Sequence, residues 1–346
     1  MSATPNPIDV VERAYDLDAP MKPWLEALLR SIAPLIDGDR GFMAYEFDMT
    51  TLPARWLESG VTIDFDVDLY DVLQAMMGSY DRADVNRFQV APTTLTTLGQ
   101  TSKQIGVADP RKHPEFARLI AKLGAVDMAA YRTVEPRGKG LAFCAPQRRD
   151  RSFDPRVRRL WAKVAAHVAA GHRLRDRLAS ATGTGAKTTA ARTSEAFDAV
   201  LTPSGKLEHA EGETKHGSTR EALRTAVQRQ ERARGRARRE DPEAATTMWT
   251  ALVAGRWSLV DHFESGGRRY IVARRNEHGG PDPRALGARE RDVAQLAALG
   301  KSNKLIAYEL GIAESTVASH LSSAMRKLGV KTRVELLRML MQLAQA

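Results

Sequence analysis

The side chains best suited to do chemistry lie near the C-terminal end of the chain. Ser315, Ser319, Ser322, Ser323 and Arg326 recur at intervals of three and four, which lines them along one side of a helix, with Thr316 beside them. Hydroxyls donate and accept, and a guanidinium donates in a fork, so such a row can hydrogen-bond to the edges of nucleic-acid bases. Lys301, Asn303, Lys304, His320 and Lys327 lie close by in the sequence. Cations and N–H donors of this kind suit phosphate oxygens. No comparable set suits catalysis. There is no G-x-S-x-G and no G-x-G-x-x-G after a strand, and GTGAK at 183–187 lacks the loop length of a phosphate-binding loop. His167 and His172 are five apart and do not share a helix face, and His209 and His216 lack a third well-spaced ligand. Asp48, Asp64, Asp66 and Asp68 fit the polar face of alternating strands. No catalytic residue, cofactor or metal is therefore expected.

Four short helices must position the polar row. The first spans about 288–299, with Val293, Leu296, Ala297 and Leu299 as its apolar stripe, and Gly300 ends it. Ser302 suits the N-cap of a second, with Ile306, Ala307 and Leu310 inward, and Gly311 makes the turn. The third begins near Glu314 and turns Val317, Leu321, Met325 and Leu328 inward. Thr332 and Glu335 form a T-x-x-E capping box for a fourth, whose apolar residues are Val334, Leu336, Leu337, Leu340 and Met341. Two short helices joined by a glycine turn make a helix-turn-helix, whose second member lies in the major groove.

The pairs Arg289-Glu290, Ile306-Ala307 and Thr316-Val317, the runs SNK at 302–304 and KLGV at 327–330, and His320 and Arg333 match, in order and spacing, the LuxR-type DNA-binding domain. The chain resembles that family over about 60 residues. The resemblance implies an all-α four-helix domain over 283–343 whose third helix reads DNA and whose fourth pairs two copies. Gly287 stands where the family usually has a capping Thr, and Ala313 where it usually has a capping Ser. Ala318 stands where Lys is frequent, and Ser322 where some members place Lys. Loss of those cations weakens phosphate and guanine contacts. Residues 282–346 hold ten Lys and Arg against six Asp and Glu, a net of +4.

At 346 residues the chain is long enough for two or three domains. A net charge of +10 favours an anionic partner. No run of apolar residues is long enough to span a bilayer, so no membrane partner is expected. The first residues lack a signal-peptide pattern, and the single cysteine, Cys144, has no internal partner, which together point to a cytoplasmic protein.

Residues 1–20 hold three prolines and read as a loose arm. A helix follows from Met21, then alternating strands at 41–49 and 61–67, and a helix at 69–77. Residues 93–106 read as a loop around a short strand, followed by a helix at 115–123. Strands at 125–134 and 140–145 come next, then a long helix to about Leu178. This α+β order over 21–178 resembles a GAF-type sensory domain with a long exit helix, which implies a small-molecule pocket of unknown lining. Phe42, Tyr45, Met76, Met77 and Cys144 read as core rather than as ligand contacts. Residues 179–194 (ASATGTGAKTTAARTS) form a linker. Residues 195–276, with a strand pair, a helix at 219–232 and a closing hairpin, resemble a PAS-type domain. The six arginines of 229–239 suit either a solvated face or a basic arm on DNA.

The expected fold is thus multidomain, with GAF-like then PAS-like α+β sensory domains ahead of the LuxR-type helix-turn-helix domain. The expected role is a transcriptional regulator bound to double-stranded DNA. It would act as a homodimer on half-sites about one helical turn apart, controlled by a ligand or partner and touching RNA polymerase if it activates. The alternative is a signalling scaffold whose helix-turn-helix-like bundle mediates protein–protein contacts.

Overall fold

The computed structural model describes residues 5–48, 55–57, 59–65, 68, 71–72, 74–75, 94–135, 139–182, 197–253, 256–265, 268–276, 286–328, 330–333 and 335–336. Met76, Met77, Asp66 and the 179–194 linker beyond Thr182 lie outside these residues, as do most of the expected 69–77 helix and most of the expected fourth C-terminal helix.

The opening segment is not a loose arm. Helix α1 (Pro7–Ala14) is capped by Asn6, whose side chain accepts from Ile8 N at 3.0 Å, with proline in its first turn. Its Ile8, Val10, Val11 and Ala14 are fully buried, and this apolar face is what holds the segment in place. Helix α2 (Met21–Ile36) follows, burying Trp24, Leu25, Leu28, Leu29 and Ile32 along one stripe.

The first sheet contains β1 (Phe42–Asp48), β2 (Arg55–Trp56), β3 (Val61–Ile63), β4 (Leu95–Thr97), β5 (Asp127–Val134) and β6 (Lys139–Gln147). Its antiparallel order is β2-β1-β6-β5-β4, with β3 pairing the other end of β1. The expected strand at 61–67 stops at Ile63, because Asp64 adopts a left-handed conformation (φ 50°). Asp48 is buried rather than on a solvated face and pairs with Arg55. Residues 98–105, expected as loop, form helix α3 (Leu98–Ile105). Thr97 Oγ1 caps its start and Gly106, at φ 69°, ends it. Helix α4 (Pro114–Lys122) follows.

Alternation divides the sheet. Ala44, Ala129, Tyr131, Leu141 and Phe143 face α1, α2 and the long helix α5 (Pro155–Thr182). Met43, Tyr45, Phe47, Met128, Ala142 and Cys144 face the other way, onto Leu98, Phe116 and Ile120 of α3 and α4. Burial pushes the Cys144 thiol up to about 12, which fits an inert core residue.

The second sheet, ordered β8-β7-β10-β9, contains β7 (Ala199–Leu201), β8 (Leu207–Ala210), β9 (Trp257–Ser265) and β10 (Arg268–Arg275). Helix α6 (Gly217–Arg234) covers one face through Leu223 and Val227. Helices α7 (Ala237–Glu240) and α8 (Pro242–Met248) follow. The opposite face contributes Val200, Val260 and Val272 to the buried cluster that also holds α1 and α5, so the two α+β parts share a core. The arginine-rich stretch helps to join them. Arg234 pairs with Glu12 at 3.1 Å and Asp261 at 2.5 Å, and Arg238 pairs with Asp9 and Glu12. Arg229, Arg232, Arg236 and Arg239 remain exposed.

The C-terminal part is all-helical: α9 (Ala288–Ala298), α10 (Asn303–Leu310) and α11 (Glu314–Leu328). Val293, Leu296, Ala297, Ile306, Leu310, Val317, Leu321 and Leu328 form its core, and fully buried Leu252 enters it from the segment between α8 and β9. Among the described residues, no helix is long and apolar enough to cross a membrane.

Candidate nucleic-acid interface

Three local features fix the angle between α10 and α11. Ser302 Oγ accepts from Leu305 N at 3.3 Å and starts α10. Gly311 ends it at φ 63°, a left-handed geometry that costs glycine little. Ile306 and Leu310 then pack against Val317 and Leu321. With those residues inward, the outward side of α11 presents Ser315, Ala318, Ser319, Ser322 and Arg326, all exposed, while Thr316 and His320 flank the row half-buried. Lys304, on α10, is exposed as well.

The remaining residues expected to meet DNA are engaged within the domain. Lys301 Nζ donates to Glu309 Oε2 at 2.6 Å, and Glu309 is only 1% exposed. Ser323 Oγ and Lys327 Nζ donate to the two oxygens of Glu290 on α9, at 2.6 and 2.7 Å. Glu290 also accepts from Gly287 N at 2.8 Å, the half of a capping box that needs no side chain at residue 287. Hydrogen bonds from Lys327, Ser323 and Gly287 hold the Glu290 carboxyl down at about 2. Asn303 Oδ1 accepts from Arg333 Nη2 at 2.5 Å, while Arg333 Nη1 donates to Lys301 O at 2.6 Å. The segment after α11 is thereby tied to the turn before α10. Thr332 Oγ1 accepts from Glu335 N at 3.2 Å, as the T-x-x-E spacing predicts, and the Glu335 carboxylate accepts in turn from Lys331 N at 2.8 Å.

Tyr308, on the side of α10 turned away from the domain core, docks the helical domain onto the rest of the protein. Its hydroxyl donates to Thr246 O at 2.5 Å or Trp249 O at 2.9 Å and lies 3.0 Å from His167 Nε2 on α5. The Trp249 carbonyl can only accept, so its 2.9 Å contact with His167 Nε2 places the ring proton there, leaving Nδ1 to accept from Tyr15 Oη at 3.1 Å. Burial pushes the His167 imidazole down to about 3, partly opposed by the Trp249 hydrogen bond, so the ring is neutral. Tyr15, His167, Trp249 and Tyr308 thus meet in one buried aromatic knot, with ring centroids of contacting pairs 5.9 to 6.3 Å apart. The only sequence signal for this knot was a large aromatic residue on the non-core side of α10.

Residues 284–340 match the family of bacterial regulatory proteins called luxR, or GerE. Over 58 residues the chain is 55% identical to the spore germination protein GerE of Bacillus subtilis (strain 168), covering 16% of this chain and 78% of that protein. Over 54 residues it is 46% identical to the nitrate/nitrite response regulator protein NarL of Escherichia coli (strain K12), covering 16% of this chain and 25% of that one. Over 77 residues it is 40% identical to the transcriptional regulatory protein MctR of Rhizobium johnstonii, covering 22% and 35%. The chain thus spans about a third or less of the latter two relatives' lengths. Through these C-terminal residues, the chain belongs to the luxR family of bacterial regulatory proteins.

Proposed function

We propose that this protein is a transcriptional regulator that binds double-stranded DNA through α10 and α11 under the control of its α+β region. The observation that carries this is the exposed row Ser315, Ser319, Ser322 and Arg326 on α11, with exposed Lys304 on the adjoining helix. The row lies in a domain that belongs to a family of regulatory proteins. Arg326 and the serines face base edges, Lys304 faces the phosphates, and Thr316 and His320 lie at the margin. Lys301, Asn303, Ser323 and Lys327 hold the reading helix at its angle rather than touching the duplex. An antiparallel sheet with helices on both faces and a long exit helix supports a GAF-like sensory domain over 21–178. The second sheet supports a PAS-like domain over 195–276. The active species is a homodimer in the cytoplasm of a bacterial cell, reading two half-sites about one helical turn apart. As an activator it would also contact RNA polymerase, and its control region would take a small ligand.

Selection of bound duplexes from a random pool tests this. On the selected site, Lys304→Ala weakens binding to all sequences alike and reduces the salt slope by about one. Arg326→Ala changes which sequence is preferred. If the folded full-length protein binds no duplex even at low ionic strength, the DNA reading fails. The helical domain would then be a protein-docking bundle in a signalling scaffold.

A further inference from the structure

His172 and Asp176 sit four residues apart on α5, so they share the helix face turned toward β1, from which Glu46 projects. His172 Nε2 lies 2.7 Å from Glu46 Oε1 and 4.0 Å from Asp176 Oδ1. One donor atom from each of the three residues falls within 4.8 Å of the others. The second oxygen of each carboxylate is held from outside. Ser59 Oγ donates to Glu46 Oε2 at 2.7 Å, and Lys139 Nζ donates to Asp176 Oδ2 at 2.7 Å. Trp24 stacks on the His172 ring, with centroids 6.3 Å apart and planes within 13°. Each donor therefore has its orientation fixed by a neighbour.

We propose that Glu46, His172 and Asp176 form a binding site for a divalent first-row transition cation, with Zn²⁺ as the representative ion. Metal–ligand distances of roughly 2.0–2.2 Å place tetrahedral donors roughly 3.3–3.6 Å apart. The separations of 2.7 and 4.0 Å bracket that range and the third donor pair lies within 4.8 Å, so side-chain shifts of about an ångström would seat the ion. Imidazole with two carboxylates suits zinc and its neighbours better than calcium or magnesium, which take oxygen donors. The carboxylates of Glu46 and Asp176 offer negative charge to a cation, offset in part by the Lys139 ammonium and the nearby Arg175 guanidinium. Glu46 and His172 are buried, whereas the Asp176 side chain keeps 27% of its surface exposed. Asp176 thereby gives the ion a way in and leaves room for water as a fourth ligand. The outer contacts match what metal sites need, because Ser59 and Lys139 orient the ligating oxygens. The site lies between the first sheet and α5, the helix that also carries His167 to the knot at Tyr308. It would supply a signal input under the regulator proposed above, although cation binding itself is independent of DNA binding.

The test uses tag-free full-length protein stripped with a chelator, then titrated with Zn²⁺ against a chromophoric competitor. Uptake of Co²⁺ is followed by its visible absorption. One equivalent binds, and excess Ca²⁺ or Mg²⁺ does not displace it. Asp176→Asn, at a partly exposed position that leaves the fold intact by circular dichroism, weakens binding more than about 100-fold. Ser59→Ala weakens it about 10- to 100-fold. No stoichiometric uptake by the folded wild-type protein overturns the proposal, as does wild-type affinity in folded Asp176→Asn. Either failure leaves the DNA assignment untouched, because no duplex enters the assay.

Discussion

Replacing Lys301 by methionine separates a structural cation from a DNA-contacting one. Its ammonium lies 2.6 Å from Glu309, with side-chain exposures of 17% and 1%. At an effective dielectric of about 20, the gross attraction at that distance is about 6 kcal/mol. Part of this offsets the cost of taking both ions out of water. Removing one partner leaves the Glu309 charge buried without its counterion, which typically costs about 3–5 kcal/mol. Because Lys301 keeps some contact with solvent, the lower end, about 3 kcal/mol, applies. That free energy corresponds to roughly a 150-fold rise in the opening equilibrium of the helical domain. Hydrogen exchange read by mass spectrometry on peptides from α10 and α11 measures this directly, without assuming that the whole chain unfolds in one step. Lys301→Met should lose about two decades of protection, and Lys301→Met with Glu309→Leu should regain most of it. Unchanged protection in the single variant would refute the structural assignment and return Lys301 to the DNA surface.

Glu290 makes stability pH-dependent. Its carboxyl is lowered from 4.5 to about 2 in the folded chain, so its contribution is complete above about pH 4.5 and is lost as pH falls toward about 2. In an acid titration of α9 and α11 protection, Glu290→Gln should remove the part of the decline that belongs to this window. Tyr308→Phe deletes the hydroxyl that reaches Thr246, Trp249 and His167, and should weaken docking of the helical domain by about 1–3 kcal/mol. Faster exchange at 246–252, with α11 unchanged, would show this. Leu252→Ala should destabilise the helical domain by about 2–5 kcal/mol although it lies outside the 284–340 match. The comparison is exchange in α9 and α10 of the same variant.

The helical domain was legible in the sequence because local rules suffice there. Ser302 caps, Gly311 turns, and the spacing of Val317, Leu321 and Leu328 defines an inward face. What periodicity could not separate was Ser323 and Lys327 from Ser322 and Arg326. Their difference depends on Glu290, 33 residues or more away in the chain. The buried segment at 7–14 is not legible because its neighbouring prolines suit a loop, while much of what covers its apolar face lies beyond residue 155. The helix at 98–105 is hidden in the sequence because Thr and Gly suit loops, whereas here Thr97 is a cap and Gly106 a terminus. The grouping of His172 with Asp176 at i, i+4 and with Glu46 on β1 depends on the sheet packing against α5, which histidine spacing in the sequence does not carry. The role of the arginines at 234 and 238 depends on Asp9, Glu12 and Asp261, acidic partners far from them in the chain.

Leu252 gives the helical domain a debt to the rest of the molecule. A module whose interior is completed by a neighbour's side chain cannot be transplanted whole by cutting at its sequence match. A displacement of the strip bearing Trp249 and Leu252 would open a void in the core of the helical domain while leaving the outward serines and Arg326 uncovered. Control exerted there would soften the DNA reader from within rather than shield it from outside.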